Sequence, residues 1–287
     1  MPGVFVLIWS TGFIVARYGM PHSPPMSFLA LRYLLSVLCF AAWATAARAV
    51  WPRYGQQLGH LAVTGVLMHA GYLGGVWAAV KLGMGAGLTA LLVGLQPVLT
   101  AVWVSSRGGQ VSARQWGGLA LGFGGLFLVV WEKLGLGEIN TVNLLLAVLA
   151  LLSITAGTLY QKRFVTPCDV RTANLVQLAA AFAVTLPLAL LESEPMAWMR
   201  ADGVNWELAG AMAWSVLALT LGGSSLLYLL IQRGAATAVT SLLFLVPPCT
   251  ALMAWLLFSE PITLLTVVGM ALTALGVGLV VRAGAAR

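Results

Sequence analysis

Residues 83–97 read Gly-Met-Gly-Ala-Gly-Leu-Thr-Ala-Leu-Leu-Val-Gly-Leu-Gln-Pro, and residues 234–248 read Gly-Ala-Ala-Thr-Ala-Val-Thr-Ser-Leu-Leu-Phe-Leu-Val-Pro-Pro. Laid one beneath the other at an offset of 151, they place Gly83 on Gly234, Thr89 on Thr240 and Pro97 on Pro248. The same offset places Gly118 on Gly269 and Gly125 on Gly276, so the match covers two consecutive apolar runs. Nearer the start of each half an offset of 145 places Gly12 on Gly157, Arg17 on Lys162 and Arg32 on Gln177. A few residues of loop difference account for the change. The chain therefore reads as one set of apolar helices written twice.

The surroundings of these runs say which solvent they meet. Of 287 residues, 60% are hydrophobic and only 8% charged, and the mean hydropathy is +0.95, too apolar for a wetted surface. In a bilayer core every backbone polar group needs an internal partner, and runs of about 18 to 25 residues suit helices, not barrel strands. Ten spans fall near residues 3–20, 26–47, 58–80, 86–105, 114–131, 142–161, 172–191, 207–231, 235–258 and 262–282. The first run lacks a basic leader and is expected to be a mature span, not a cleaved signal. No soluble domain is expected.

With both termini cytoplasmic, the inner segments hold Arg48, Arg53, Arg107, Arg114, Lys162, Arg163, Arg171, Arg233, Arg282 and Arg287. The outer segments hold only Arg17, Lys81, Lys133 and Arg200, which is the asymmetry of positive-inside sorting. Most acidic residues fall outside, with Asp169 alone inside, and Trp51, Trp131, Trp198 and Trp206 sit at span ends as interfacial anchors. The net charge of +7 lies between the apolar runs and not on a wetted basic face, which excludes nucleic acid as a partner. Cys39, Cys168 and Cys249 are widely spaced and read as small buried hydrophobes, with neither a metal site nor a disulfide framework. No cofactor is expected.

Each half, 1–131 and 140–287, holds five spans, and an odd number forces the two copies to enter the membrane from opposite sides. The fold class is thus an all-α integral membrane protein of ten transmembrane helices, built as two inverted five-helix repeats. Such repeats belong to secondary transporters, whose equivalent halves swap conformations around a midplane site.

The chain resembles the drug/metabolite transporter superfamily, specifically its EamA-type permeases. The resemblance spans essentially the whole chain. It is carried by Trp9-Ser10-Thr11-Gly12-Phe13, by the proline-centred spans 4 and 9, and by Glu260-Pro261-Ile262-Thr263 followed by Gly269 and Gly276. Within that group it looks most like the YddG-type amino-acid exporters. The segment from Arg107 to Ser112 departs from the pattern in lacking a glutamate. The resemblance implies export of a small solute, an amino acid of uncharged or aromatic kind, across a bacterial cytoplasmic membrane. A monomer is favoured.

If every span is centred on the bilayer, the helical rise fixes which residues share the midplane. Span 1 places Trp9, Ser10 and Thr11 there, and span 3 places His69 with Tyr72 on the same face. Span 4 places Gln96 and Pro97, span 8 Thr220 with Ser224 and Ser225, and span 9 Pro247 and Pro248. Candidate substrate-binding residues are therefore His69, Tyr72, Gln96, Trp9, Ser10, Thr11 and Ser224, with Arg32, the one cation well inside a span, as partner for a carboxylate. For Arg32 the alternative is snorkelling to the outer headgroups, and for Trp9 and Trp77 it is packing or a lipid-facing position. Pro97 and Pro248, with Pro247, are candidate hinges.

No Asp or Glu lies in mid-span, so coupling through a buried acid is not expected, and His69 is the one candidate proton site. A downhill carrier follows. A phosphorylated cargo would require several buried cations, which leaves an amino acid or similar zwitterion as first choice and another small metabolite or drug as the alternative. Catalysis is not expected, because His22 and His60 lie at span ends and Ser224 has no second histidine within a span.

Overall fold

The computed structural model describes residues 2–52, 54–106, 112–135, 138–201, 203–232 and 246–285. Arg53, residues 107–111, Asp202, Arg287 and residues 233–245, with Arg233, Gly234 and Thr240 among them, lie outside the described residues. The helices are α1 (Pro2–Gly19), α2 (Pro25–Ala46), α3 (Gly55–Gly65), α4 (Tyr72–Lys81), α5 (Ala86–Val93), α6 (Gln96–Ser106) and α7 (Ala113–Gly135). The second half has α8 (Thr141–Phe164), α9 (Val170–Leu190), α10 (Trp206–Trp214), α11 (Ser225–Gln232), α12 (Val246–Phe258) and α13 (Leu264–Ala285). A π-helical segment, Val66–Gly71, joins α3 to α4, and another, Ser215–Ser224, joins α10 to α11.

Six helical stretches are long and apolar enough to cross a membrane: Val4–His22, Pro25–Ala46, Gly55–Lys81, Thr141–Phe164, Val170–Leu190 and Trp206–Leu229. Shorter apolar helices, Ala86–Thr100, Trp116–Glu132, Val246–Phe258 and Leu264–Gly276, stand where spans 4, 5, 9 and 10 are expected. Their outward faces are greasy: Leu145, Leu149 and Leu152 along α8 are all exposed, which only a lipid surround makes inexpensive. The protein is a multi-pass membrane protein.

Helix starts are written locally. Asn140 and Asn143 exchange side-chain bonds to each other's backbone N–H (2.8 and 2.9 Å), a capping box that opens α8. Asp169 caps α9 and pairs with Arg171 (2.6 Å), whose guanidinium holds the Asp169 carboxyl below the usual carboxylate range. That depressed value means the anchor is intact at neutral pH and is lost as pH falls through it.

The packing order carries the duplication into three dimensions. α7 packs on α13, α2 on α9 and α5 on α12, so spans 5, 2 and 4 each meet their own counterparts. Span 3 packs on span 6 through α3 and α4 against α8, and its image is the packing of α10 and the second π-segment on α1. The counterparts run antiparallel. Met26 and Ser27, at the start of α2, donate backbone N–H to Glu192 beyond the end of α9 (2.9 and 2.7 Å). At the other end Thr172 donates to the Val50 carbonyl past the end of α2 (3.2 Å).

Glycine makes the α7–α13 seam possible. A Cβ on Gly125 would lie 2.5 Å from the Gly269 carbonyl oxygen and 2.6 Å from Thr273 Oγ1, and one on Gly276 would strike the backbone of Gly118 and Gly122. The glycines that align in the repeat are thus the ones that let the two backbones touch.

One end of the bundle is tied by polar groups. Lys81 pairs with Glu194 (2.9 Å), while Glu207 takes both His22 (2.7 Å) and Arg200 (2.8 Å). Glu260 accepts the Ala86 N–H at the start of α5 (3.0 Å), where the helix dipole favours an anion. One turn inward along α2, Phe28 stacks on Trp77 with ring centroids 4.5 Å apart, and both side chains are fully enclosed. Phe28→Ala is expected to destabilise the protein by about 3–5 kcal/mol, since a rigid aromatic leaves a cavity that its neighbours fill poorly. Thermal unfolding in detergent micelles measures it, and an unchanged midpoint would refute the weight given to this stack.

Candidate functional site

The two π-segments are equivalent: at the offset of 151, residues 66–71 fall within the second segment, and His69 falls on Thr220. An extra residue in a helical turn shifts the hydrogen-bond ladder and frees carbonyls inside a buried helix. Those carbonyls find side chains. The Tyr33 hydroxyl donates to the His69 carbonyl (2.9 Å), and the Thr220 hydroxyl donates to Ser215 O (2.8 Å). Thr220 Oγ1 in turn accepts from Arg32 Nε (3.0 Å).

Between the π-segments lies a cleft enclosing about 710 Å³ of empty space, its open mouth included. Its walls come in repeat-related pairs: Met68 with Leu219, Leu73 with Ser224, Val76 with Leu227, Trp77 with Tyr228, Trp9 with Ile154, and Arg32 with Gln177. The cleft therefore sits where the two halves exchange, symmetric in backbone and unsymmetric in chemistry. Arg32 is the sharpest asymmetry. It is only 4% exposed, lies 6.0 Å from the Trp77 ring centroid, and has no carboxylate partner among the described residues. A buried cation without a counter-ion is costly, so its persistence needs a reason beyond stability.

His69, Tyr72, Arg32, Trp9 and Ser224 all line the cleft. Arg32 does not snorkel, because Thr220 holds it inside. Three candidates lie elsewhere. Ser10 returns its hydroxyl to the Val6 carbonyl (2.7 Å), and its own carbonyl accepts from Thr250 (3.4 Å). Thr11 bonds Ile8 O (2.6 Å) and accepts from the Trp214 indole (2.8 Å), and Gln96 donates to Thr158 (2.9 Å). All three share the right depth but face neighbouring helices, and depth alone does not fix the azimuth.

Pro97 also takes another form. The helix stops at Gly94 and Leu95, so Gln96 and Pro97 begin α6, while Pro247 and Pro248 lie in α12, and the residues that precede it, 233–245, are outside the described ones. A proline in a first helical turn forfeits no bond, so Pro97 starts a half-helix and does not kink a continuous one. Pro247 touches the break in the other half: a Cβ on Gly94 would lie 2.9 Å from its ring.

Sequence reasoning missed Gln161, Asn174, Gln177 and Tyr228, and it left Trp77 between packing and cavity. Trp77 does both, through Phe28 and the cleft. Gln177 carried a usable signal, since the repeat aligns it with Arg32. It lies beside His69, and its amide nitrogen is buried without a partner among the described residues. Asn174 donates to the Val170 carbonyl (2.8 Å), and Tyr228 meets the Cys168 thiol (3.0 Å).

A multi-pass bundle with a cleft between two repeat-related halves is an architecture found in carriers. Residues 4–131 and 141–282 match the model of the EamA-like transporter family, and the chain belongs to that family. That family is one of transporters. A probable amino-acid metabolite efflux pump of Salmonella typhimurium is 28% identical over 161 residues, 55% of this chain and 51% of that protein. Its Escherichia coli namesake is 24% identical over 162 residues, 56% of this chain and 52% of that protein. The chain spans about half the length of these two curated relatives. An uncharacterized transporter, YvbV, of Bacillus subtilis is 24% identical over 285 residues, covering 96% of this chain and 88% of that one. A solved structure titled only as a crystal structure of a protein shares the fold, with TM-score 0.68 and 17% identity over 97% of this chain and 95% of that one.

Proposed function

We propose that this protein exports uncharged amino acids across the bacterial cytoplasmic membrane by alternating access of two inverted five-helix repeats. Ten transmembrane helices and cytoplasmic termini complete the reading, supported by the antiparallel packing of counterpart helices and by the charge asymmetry of the loops. The observation that carries it is Arg32, a buried cation lacking a carboxylate partner among the described residues and set in the cleft between the halves. The substrate carboxylate pairs with Arg32, and an apolar side chain fits against Trp9, Trp77, Met68 and Leu219. The amino-acid efflux named for the two partial relatives agrees with this choice.

Access alternates by flexing at the Gly94–Leu95 break of one half and about Pro247 and Pro248 of the other. The carrier runs downhill, with no carboxylate among the described residues that line the cleft to bind a coupling ion. The monomer is the working unit.

Uptake of labelled amino acids, sugars and nucleotides by proteoliposomes tests the function, and absence of flux for every amino acid would overturn it. Gly94→Ala is expected to slow transport roughly tenfold with normal membrane insertion, because it heals the break and presses on Pro247. Wild-type rates in that variant would dismiss the hinge.

A further inference from the structure

The cleft has donors that no protein group answers. Arg32 bonds only through Nε, which leaves its two terminal nitrogens without partners among the described residues. Gln177 Nε2 is also unpartnered, in a side chain only 4% exposed. The two residues occupy equivalent positions on α2 and α9, helices packed against each other, and both line the same space. No carboxylate lines that space among the described residues. The site as built carries one positive charge and unfilled donors.

An α-amino acid answers half of this. Its carboxylate suits Arg32, but its ammonium adds three more donors and a second positive charge beside neutral amide and hydroxyl oxygens. The 2-oxo acid of the same carbon skeleton has the matching carboxylate, a carbonyl acceptor on the next carbon and a single negative charge. It neutralises the cation, and once the Gln177 side chain, whose Nε2 is closed off as it stands, turns toward the cleft, its carbonyl accepts from that nitrogen as well. The walls, Met68, Val76, Leu219 and Leu227 with Trp9 and Trp77, suit a branched aliphatic or aromatic tail and give a second charge no partner.

We propose that the carrier takes apolar 2-oxo acids, the deaminated forms of branched-chain and aromatic amino acids, ahead of the amino acids themselves. This rests on the reading of the cleft as a carboxylate site given above. The test is counterflow in proteoliposomes of the full chain, comparing 4-methyl-2-oxopentanoate with leucine and phenylpyruvate with phenylalanine. Half-saturation is expected at concentrations about tenfold lower for each oxo acid, the effect of one buried donor filled or left empty. Gln177→Glu, which supplies a carboxylate for the ammonium, is expected to shift preference towards the amino acids.

Equal or tighter half-saturation by leucine and phenylalanine in the wild type would overturn the proposal while leaving the amino-acid carrier standing. Flux of neither class would overturn the carboxylate site itself. An unchanged preference in a folded, monodisperse Gln177→Glu variant would overturn the role given to Gln177. The wild-type comparison decides between the cargoes even if that variant does not fold.

Discussion

Arg32→Gln is expected to reduce transport of carboxylate-bearing substrates about a hundredfold while leaving the empty protein at least as stable as before. The two effects have one cause. Arg32 is 4% exposed and, among the described residues, its guanidinium is hydrogen-bonded only to Thr220, so its desolvation is barely compensated. With substrate bound, it becomes one half of a desolvated ion pair, and truncating one partner of such a pair costs roughly 2–5 kcal/mol. Glutamine keeps much of the stem and one donor but removes the charge. Arg32→Lys should lose about tenfold, because an ammonium keeps the charge without the planar fork. Initial rates in proteoliposomes and unfolding midpoints in micelles measure the pair of effects. Transport at the wild-type rate in Arg32→Gln would remove Arg32 from the site, and a large drop in midpoint would make it a structural residue.

The second large effect separates two adjacent glycines. Gly125→Ala is expected to destabilise the protein by about 1–3 kcal/mol or more, and Gly124→Ala to change stability little. Around Gly125 a Cβ would meet Gly269 O, Thr273 Oγ1 and Thr273 N within 2.5–2.7 Å, two of them rigid backbone atoms. Around Gly124 a Cβ meets nothing within 4 Å. α7 and α13 would have to separate along their whole crossing to admit one methyl group. Unfolding midpoints of the two variants, purified side by side, decide the matter. Equal behaviour would mean that the seam is looser than the close approach of its backbones implies.

Why the sequence reached some of this and not the rest is visible in particular residues. Hydropathy found the apolar runs because lipid is the solvent on every side, and nothing subtler was needed for spans such as Thr141–Phe164. Repeat alignment found Gly118, Gly125, Gly269 and Gly276 without knowing why they align. The reason is contact between two backbones across the axis that relates the halves. Midplane depth gathered His69, Tyr72, Trp9 and Ser224, which line the cleft with Arg32, yet it also gathered Ser10, Thr11 and Gln96, which face other helices. The two π-segments left no mark in composition or periodicity, because their register shift answers to tertiary contacts such as Tyr33 on the His69 carbonyl and Arg32 on Thr220.

The sequence by itself determined that this chain lives in lipid, that it is made of helices, that its two halves are copies, and that a single cation is carried deep into a span. Those properties depend on residue type and spacing along one chain, which the order of amino acids states directly. Only the tertiary structure decided which side of each helix faces the space between the halves. Azimuth is set by what each neighbour offers in packing and hydrogen bonding, so Gln177 joins Arg32 at the cleft while Gln96 turns away to Thr158.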